Sequence, residues 1–181
     1  MEKVGGLATG TSDRAPAKKQ VALLKKVMPN LKKVGIMYTT NERNSEIQVQ
    51  EAEAAFKEAG IETVVKGISS TNDVQDTTKS LMSQTEALFI PADNTIVSAI
   101  TLVTDLSKEM KVPVVGGSVD VVDDGVLFTY GADFEALGRQ TAKMAIRIMN
   151  GEKVDDISAE DPETLKAVAN KEMAQLLGID I

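Results

Sequence analysis

Polar residues follow several of the short apolar runs of this chain, and their chemistry suits the binding of a small polar ligand. The four segments are Tyr38 to Ser45, Pro91 to Thr95, Gly116 to Ser118 and Tyr130 to Asp133. Asn, Ser and Thr beside a helix start come with free backbone N–H groups, which favour an anion such as a carboxylate. Aspartate suits an ammonium group, and tyrosine rings form apolar walls. These residue types predict a binding site.

Ten residues of these segments are predicted to contact the ligand. Backbone N–H groups near Asn44-Ser45 and Asn94-Thr95 are predicted to bind a carboxylate. Either Asp93 or Asp133 is predicted to bind an ammonium group. Tyr38 and Tyr130 are predicted to form an apolar wall. The full set is Tyr38, Asn41, Asn44, Ser45, Asp93, Asn94, Thr95, Gly117, Ser118 and Asp133.

Each of these features also has a simpler structural interpretation. Asn, Ser and Thr are good N-caps, and Asp93 is equally able to cap its own helix or to pair with a lysine. Gly116-Gly117 is also typical of a tight turn. Tyr38 and Tyr130 are also typical of packing at strand ends. The predicted site therefore depends on all four segments meeting at one place.

The composition removes most catalytic and metal chemistry. The 181 residues include no Cys and no His, which excludes disulfides, thiolate nucleophiles and zinc sites built from Cys or His. The commonest general base at neutral pH is also absent. A formal net charge of −7 disfavours a nucleic-acid surface, because phosphate binding needs clustered Lys and Arg. An enzyme is therefore less expected on composition, although carboxylates, Lys, Tyr, Ser and Thr remain for chemistry. No cofactor, no metal and no nucleic-acid partner are predicted.

Motifs for phosphate, acyl-transfer or cation chemistry are incomplete. Gly5 to Ser12 has the glycine spacing of a Walker loop, but Thr11 stands in place of the lysine and no strand precedes the segment. Gly117-Ser118 lacks the pattern of a nucleophile elbow, and no histidine is present to activate the serine. The acidic stretch 118–124 lacks the ligand spacing of a calcium loop and indicates a solvated connection.

The elements that position the four polar segments alternate along residues 33–130. Apolar runs predict strands at 33–38, 62–68, 87–90, 112–115 and 125–130. Amphipathic stretches predict helices at 45–59, at 72–82 and from Asn94 or Thr95 to Lys111. Uniformly apolar strands joined by helices indicate a parallel sheet covered on both faces. The predicted fold is an α/β, open, doubly wound parallel sheet of order 2-1-3-4-5.

In that order, the first and third strands are neighbours whose helices leave in opposite directions. Ligands bind in the crevice beyond the carboxyl ends of the strands at such a switch point. All four polar segments are predicted to open at that edge of the sheet.

Two further helices flank the sheet. Ser12 or Asp13 is predicted to cap a helix at 13–28, with Pro16 in its first turn. The second half of a helix at 134–150 is apolar nearly all round, so this helix is expected to be covered on more than one side.

The ends of the chain carry fewer signals. The tail is predicted to hold an edge strand at Leu165 to Ala169 and a short helix, Lys171 to Leu177, that ends at Gly178. Residues 4–12 are predicted to be a loop. Met1 to Gly10 lacks the apolar core of a signal peptide, and the start is typical of the interior of a longer protein. No apolar run approaches the ~20 residues of a membrane span.

Several motifs occur in a characteristic order along the whole chain. They are Thr11-Ser12-Asp13, Pro29 with the Lys33 to Tyr38 strand, Asn44-Ser45, Pro91 to Thr95, Pro113 to Gly117 and Gly131 to Gln140. Together they resemble the ABC-transporter solute-binding proteins of the tryptophan/phenylalanine-binding type. The resemblance implies a lobe of the type I periplasmic-binding fold and a binding protein that delivers its ligand to an ABC permease. It also implies an extracytoplasmic location, membrane-anchored as a lipoprotein or periplasmic.

Members of that family are longer at the N-terminus, so the resemblance implies that most of the first lobe is absent. Residues 1–30 then correspond to a hinge crossover and the last helix of that lobe, 31–131 to the ligand-binding lobe, and 132–181 to a return helix and C-terminal hinge segment. Half of the cleft is missing in this interpretation, which implies weak or no ligand binding. Uncovered apolar faces on helices 13–28 and 134–150 predict a homodimer.

Two other functions remain open on the sequence. The effector-binding domain of a lactose-repressor-type transcription regulator shares the fold, but neither a helix-turn-helix nor a basic surface is present. A small α/β enzyme or sugar isomerase has similar topology, and the lack of His and Cys disfavours it. The predicted function is the solute-binding component of an ABC importer for a small polar ligand, an aromatic or other amino acid.

Overall fold

The apolar runs form the strands of one sheet in a computed structural model, which describes residues 7–181. The strands are β1 (Lys33–Thr39), β2 (Glu62–Ile68), β3 (Ala87–Ile90), β4 (Val114–Gly116), β5 (Phe128–Ala132) and β6 (Leu165–Ala169). Their order is β2-β1-β3-β4-β5-β6. The predicted α/β sheet of order 2-1-3-4-5 is confirmed, and the predicted edge strand at residues 165–169 extends it beside β5.

Helices connect and cover these strands. They are α1 (Ala17–Val27), α2 (Arg43–Glu58), α3 (Val74–Met82), α4 (Asn94–Ser98), α5 (Ile100–Met110), α6 (Phe134–Met149) and α7 (Lys171–Leu177). Short 3-10 turns occur at Thr71–Asp73, Val119–Val122 and Val154–Asp156. None of these helices combines the length and apolar character that a bilayer span requires, as far as the chain is described.

The neighbouring strands from β2 to β5 pair in parallel, so their carboxyl ends lie at the same edge of the sheet. Strand β6 runs the other way. Asp133 N–H donates to Thr164 O at 3.2 Å, and Asn170 N–H donates to Leu127 O at 2.8 Å, a pairing that only antiparallel strands make.

Alternate residues of β3 enter two different apolar cores. Ala87 and Phe89 pack in a core with α1 and α2, whereas Leu88 and Ile90 pack in a core with α3, α4 and α5. Successive side chains of a strand point to opposite faces, so helices cover both faces of the sheet as predicted. In the first core the rings of Phe56 and Phe89 meet edge to face, with centroids 5.7 Å apart.

Two predicted helices differ most from the structure, whereas those predicted at 45–59 and 72–82 differ by one or two residues at an end. The helix predicted at 13–28 begins only at Ala17, and neither Ser12 nor Asp13 caps it. The residue before a proline is disfavoured in the α region, so Pro16 sets the start. The predicted helix up to Lys111 is two helices, because Ala99 leaves the helical region at φ −115° and ψ 18°.

Strands β4 and β5 begin later in the chain than predicted. Strand β4 begins two residues later than predicted, and β5 begins at Phe128 instead of residue 125. Gly125 has φ +105° and belongs to the turn that closes with Val126 N–H donating to Val121 O. The predicted acidic connection at 118–124 contains a 3-10 turn.

The chain divides into two compact units. The larger comprises residues 16–130 and 167–181, and the smaller comprises Gly131–Lys166 together with the residues up to Ala15. The chain passes between them three times. The segments 1–30, 31–131 and 132–181 remain functional predictions, and residues 1–6, including the Walker-like Gly5, lie outside the described residues.

Helix α6 dominates the smaller unit and exposes much of its apolar surface. Phe134, Ile146 and Met149 are 44%, 55% and 83% exposed, so the expectation that this helix is covered on more than one side is wrong for this chain. The corresponding expectation of an uncovered face on α1 is also wrong. Val21 and Leu24 are only 3% and 1% exposed, because α1 packs in the core with α2.

Candidate functional site

The carboxylate of Asp93 ties the end of β1 to the start of α4. Asp93 is only 1% exposed. Its Oδ2 accepts a hydrogen bond from Thr39 N–H at 2.7 Å, and its Oδ1 accepts from Thr39 Oγ1 at 2.7 Å and from Ile96 N–H at 2.9 Å. Asp93 is thus the N-cap of α4, because a short carboxylate reaches the free amides of a first turn, and the helix begins at Asn94, one of its two predicted first residues.

A second carboxylate makes the reciprocal connection. Glu42, in the loop after β1, accepts hydrogen bonds on Oε2 from Asn94 N–H and Nδ2 and on Oε1 from Thr95 N–H and Oγ1, all at 2.8–2.9 Å. Burial raises the pKa of Glu42, but these four hydrogen bonds outweigh burial and hold the pKa below its ordinary value of 4.5. Asn94 and Thr95 therefore hold a carboxylate, and it is the protein's own.

The first turns of α2 hold the same loop by its peptide groups. Asn44 Nδ2 donates to Ala92 O at 2.8 Å, and Ala92 N–H donates to Gln48 Oε1 at 3.0 Å. Helix α2 begins at Arg43, so Asn44 and Ser45 lie in its first turn, and Glu42 is the N-cap residue. Glu42 and Gln48 were absent from the predicted site. Their partners lie 44 or more positions away along the chain, and no local pattern indicates them.

Ser45 and two loop residues keep polar side chains without protein partners. Ser45 is fully buried, and its Oγ has no hydrogen-bond partner among the described residues. Asn41 is exposed and Ser118 is half-buried, and within residues 7–181 neither side chain makes a hydrogen bond. The side chains of Asn41 and Ser118, in the loops after β1 and β4, and of Ser45, in the first turn of α2, are therefore free to bind a ligand.

The Gly116-Gly117 pair makes the tight turn that ends β4. Both residues have positive φ, +96° and +67°. Gly117 N–H donates to Ile90 O at 2.7 Å, and a Cβ at Gly116 would lie 2.4 Å from the same oxygen. Thr129 Oγ1 donates to Gly117 O at 3.1 Å. The turn therefore needs glycine, and it places Ser118 just beyond the end of β3.

The two tyrosines each have a neighbour of their own in the larger unit. Tyr38 pairs in register with Gly67 of β2, whose missing side chain leaves room beside the Tyr38 ring. The ring of Tyr130 lies below Lys19 Nζ, 5.4 Å from the ring centroid, an arrangement that favours the cation. Two strands, β3 and β4, separate β1 from β5.

Asp133 belongs to the smaller unit and caps α6. Its Oδ1 accepts hydrogen bonds from Glu135 N–H at 3.1 Å and Ala136 N–H at 3.2 Å, and Lys166 Nζ lies 3.3 Å from its Oδ2. The hydrogen bond from Ala136 and the cation of Lys166 lower the pKa of Asp133. Both simpler interpretations of a loop aspartate, a cap and a lysine pair, hold at this residue.

Two cavities of the larger unit lie away from the predicted contacts. One, of about 400 Å³, lies between α1, β6 and the C-terminal residues, and the other, of about 270 Å³, lies between α5 and α7. None of the ten predicted residues lines either cavity. Along the described chain, no group of three or more carboxylates is arranged to hold a metal ion.

The chain is similar to transport proteins over its whole length. Residues 1–181 match a family described as ABC transporter substrate binding protein. The chain is 34% identical over 177 residues to the Tyrosine-binding protein of Clostridioides difficile (strain R20291), which covers 98% of this chain and 51% of that protein. The chain thus spans about half the length of this curated relative.

Solved structures show the same similarity. The ABC domain in complex with L-Trp from Streptococcus pneumoniae matches with a TM-score of 0.87 and 36% identity, over 96% of this chain and 60% of that one. The ligand-free, open structure of a substrate binding protein with adhesive properties from Clostridium difficile matches with a TM-score of 0.79 and 33% identity, over 96% of this chain and 59% of that one.

Proposed function

The chain belongs to the ABC transporter substrate binding protein family, and from that premise we propose that it is the solute-binding part of an importer for an aromatic amino acid. The observation that carries the proposal is the match over 96% of the chain to a domain with L-Trp bound. The relative named for tyrosine binding supports the same ligand class. Proteins of this family bind substrates rather than transform them, act outside the cytoplasm and work with ABC permeases. No observation favours a regulator or an isomerase.

The strand-end loops divide into proposed ligand contacts and supports. Asn41, Ser118 and Tyr38 are the proposed contacts in the larger unit, because they lie at strand ends and their polar groups are free or half-exposed. Asp133, in the smaller unit, is a proposed ammonium partner. Ser45 is a further proposed contact, because its hydroxyl has no partner among the described residues. The proposed supports are Asn44, Asp93, Asn94, Thr95 and Gly117, which hold the loops in shape.

The share of its relatives' length that this chain spans determines how tightly we expect it to bind an amino acid. This chain spans 51% of the curated relative and about 60% of the L-Trp-bound chain. A ligand that is normally enclosed loses affinity when part of its site is absent, since enclosure removes both partners from water. We therefore propose that the 181 residues alone bind weakly or not at all, and that membrane anchoring as a lipoprotein or periplasmic location applies to the full-length relatives.

Calorimetric titration tests the ligand class. The chain, and a version extended by the part of the C. difficile relative that it does not match, are titrated with L-Trp, L-Tyr, L-Phe and L-Leu. We expect heat from the aromatic amino acids with the extended protein and a weaker response from the chain alone. The proposal is wrong if the extended protein is folded and gives no heat with any of the four.

A further inference from the structure

The carboxylates of Glu42 and Asp93 form reciprocal hydrogen bonds between the carboxyl ends of β1 and β3. Glu42, in the loop after β1, is bound by Asn94 and Thr95 at the start of α4, and Asp93, in the loop after β3, is bound by Thr39 at the end of β1. Glu42 and Asp93 are 51 positions apart in the sequence, so these hydrogen bonds depend on the parallel pairing of β1 with β3. Two carboxylates that hold each other's loops fix the distance between those loops from both sides.

All four acceptor positions of the Glu42 carboxylate are occupied by hydrogen bonds. A carboxylate offers about four lone-pair positions, and Oε1 and Oε2 of Glu42 each accept two hydrogen bonds. The backbone N–H groups of Asn94 and Thr95 each have one proton to donate, and both protons go to Glu42. A second carboxylate at this place would find both backbone N–H groups and the Thr95 hydroxyl proton already engaged.

Charge excludes a second anion from the same place. The carboxylates of Glu42 and Asp93 flank the start of α4, Glu42 through Asn94 and Thr95 and Asp93 through Ile96. Neighbouring like charges disfavour one another's ionised form. A ligand carboxylate would therefore bind here only if it displaced Glu42.

We infer that Glu42 is a positioning residue, the resident anion of a carboxylate seat formed by Asn94 and Thr95, and that a ligand carboxylate binds elsewhere. The ligand part of this inference rests on the proposed function, whereas the positioning part does not. The seat holds the loops after β1 and β3 together before any ligand arrives. The ligand then meets Asn41 and Ser118 on a preformed edge, and binding does not spend free energy on ordering these loops.

Hydrogen exchange of the 181-residue chain without ligand tests the positioning role. Glu42→Gln keeps the size of the side chain but removes its charge and one acceptor oxygen. We expect the amides of Asn94 and Thr95 to exchange about tenfold faster or more, the effect of losing a charge-assisted hydrogen bond. Glu46→Gln is the matched control, since Glu46 lies in the first turn of α2, one turn after Glu42, and within residues 7–181 its side chain pairs with exposed Arg43 alone. Equal protection in wild type and Glu42→Gln would overturn the inference.

Acetate, the smallest carboxylate probe with a methyl group, tests the seat itself. In Glu42→Ala the seat is vacant, and we expect added sodium acetate, compared with sodium chloride of the same ionic strength, to restore amide protection at Asn94 and Thr95. Loss of protection without rescue by acetate would show only a packing role and overturn the inference. Acetate-induced changes at these amides in wild type would also overturn it, because they require displacement of Glu42.

The ligand part has its own readout. The Glu42 carboxyl is followed by NMR through a pH titration of the chain with and without excess L-Trp. We expect its pKa to stay below the ordinary value in both cases. A return toward that value with L-Trp would mean that the ligand displaces Glu42 and would overturn the inference. If L-Trp does not bind this chain, the titration is repeated on the extended protein. The proposed function fails if the extended protein does not bind L-Trp either, while the exchange and acetate results decide the role of Glu42 in every case.

Discussion

At the scale of a single residue, the carboxylate of Asp93 stabilises the fold by joining the end of β1 to the start of α4. Its two oxygens receive three hydrogen bonds from Thr39 and Ile96 while the side chain is almost fully buried. A buried charge is tolerated only when it is paired or hydrogen-bonded. The predicted alternative of a capping role is therefore confirmed, and an ammonium partner at Asp93 would have to share oxygens already in use.

Asp93→Asn is expected to destabilise the fold by about 2–4 kcal/mol, because the new NH2 group faces a donor and the charge-assisted bonds are lost. Urea denaturation followed by circular dichroism measures this change. Asp120→Asn is the control, since Asp120 is exposed and its replacement is expected to change stability by less than about 0.5 kcal/mol. Equal effects of the two substitutions would contradict the role assigned to Asp93.

Glu42 predicts a pH dependence of stability. Its pKa is lower in the folded chain than the ordinary 4.5, so its contribution is fully present above that value and is lost as the pH falls through the folded pKa. Wild type is expected to lose more stability than Glu42→Gln between about pH 5 and pH 3. Hydrogen bonds also lower the pKa values of Asp73, Asp133 and Glu152, but these groups are present in both proteins. Parallel denaturation curves over this pH range would contradict the prediction.

The sequence placed carboxylate-binding donors at Asn94 and Thr95, and the structure shows which carboxylate they bind. Asn94 and Thr95 were predicted to bind a carboxylate, and they do bind one in the structure, that of Glu42. The capping residues at a helix start indicate where free backbone amides lie, so these donors can be predicted from the sequence. The acceptor that fills them comes from another loop, and only the folded chain shows which carboxylate reaches.

At the scale of elements, the turn after β4 joins backbone conformation to the position of a loop. Gly116 and Gly117 adopt left-handed conformations directly against the carbonyl of Ile90. Any Cβ at Gly116 meets that oxygen, so the backbone cannot relax without moving β3 or β4. Ser118, a proposed ligand contact, inherits its place from this turn.

Gly116→Ala is expected to cost about 2–4 kcal/mol, the sum of a left-handed conformation and a steric clash. Gly60→Ala is the matched control, because Gly60 has φ +75° and nothing lies within 4 Å of its would-be Cβ. This control is expected to cost about 1 kcal/mol, from conformation alone. Thermal unfolding of both variants separates the two contributions, and equal losses would mean that the contact with Ile90 has no effect.

Helix α6 offers the opposite case. Gly138 lies inside this helix without positive φ, and a Cβ there would meet nothing within 4 Å. Gly138→Ala is expected to stabilise the chain by about 0.5–1 kcal/mol through helix propensity. Chemical denaturation checks the sign. A loss of stability would contradict the prediction, because it would mean that the added methyl group clashes with a neighbouring residue.

At the scale of the whole molecule, the exposed apolar side chains of α6 are the main unpartnered feature. Ile146 and Met149 are 55% and 83% exposed, and exposed apolar patches favour association. The homodimer predicted through helices 13–28 and 134–150 narrows to α6, because the apolar face of α1 is buried within its own unit. We propose this dimer for the 181-residue chain.

Light scattering after size exclusion tests the association. At micromolar concentration we expect the chain to elute as a dimer and Ile146→Lys/Met149→Lys to elute as a monomer with an unchanged circular dichroism spectrum. Leu176→Lys is the control, since Leu176 is 45% exposed on α7 and lies outside the proposed interface. A monomeric wild type, or a control that dissociates equally, would contradict the proposal.

The sequence by itself determined the elements and their order. The strands at 62–68, 87–90 and 165–169 and the helix at 171–177 have the predicted bounds, because apolar periodicity, proline and glycine act over a few residues. The alternation of strands and helices then leaves few ways to cover both faces of a parallel sheet, and the predicted order followed from that.

Only the tertiary structure decided which partners the polar residues have. The hydrogen bonds of Glu42 and Asp93, the contact of Gly116 with Ile90 and the packing of α1 with α2 all join residues that are distant in the chain. Hydrogen bonds and packing act over a few ångströms in space, whatever the separation in sequence. A pattern along the chain therefore identifies donors, acceptors and apolar faces, and the fold assigns them to one another.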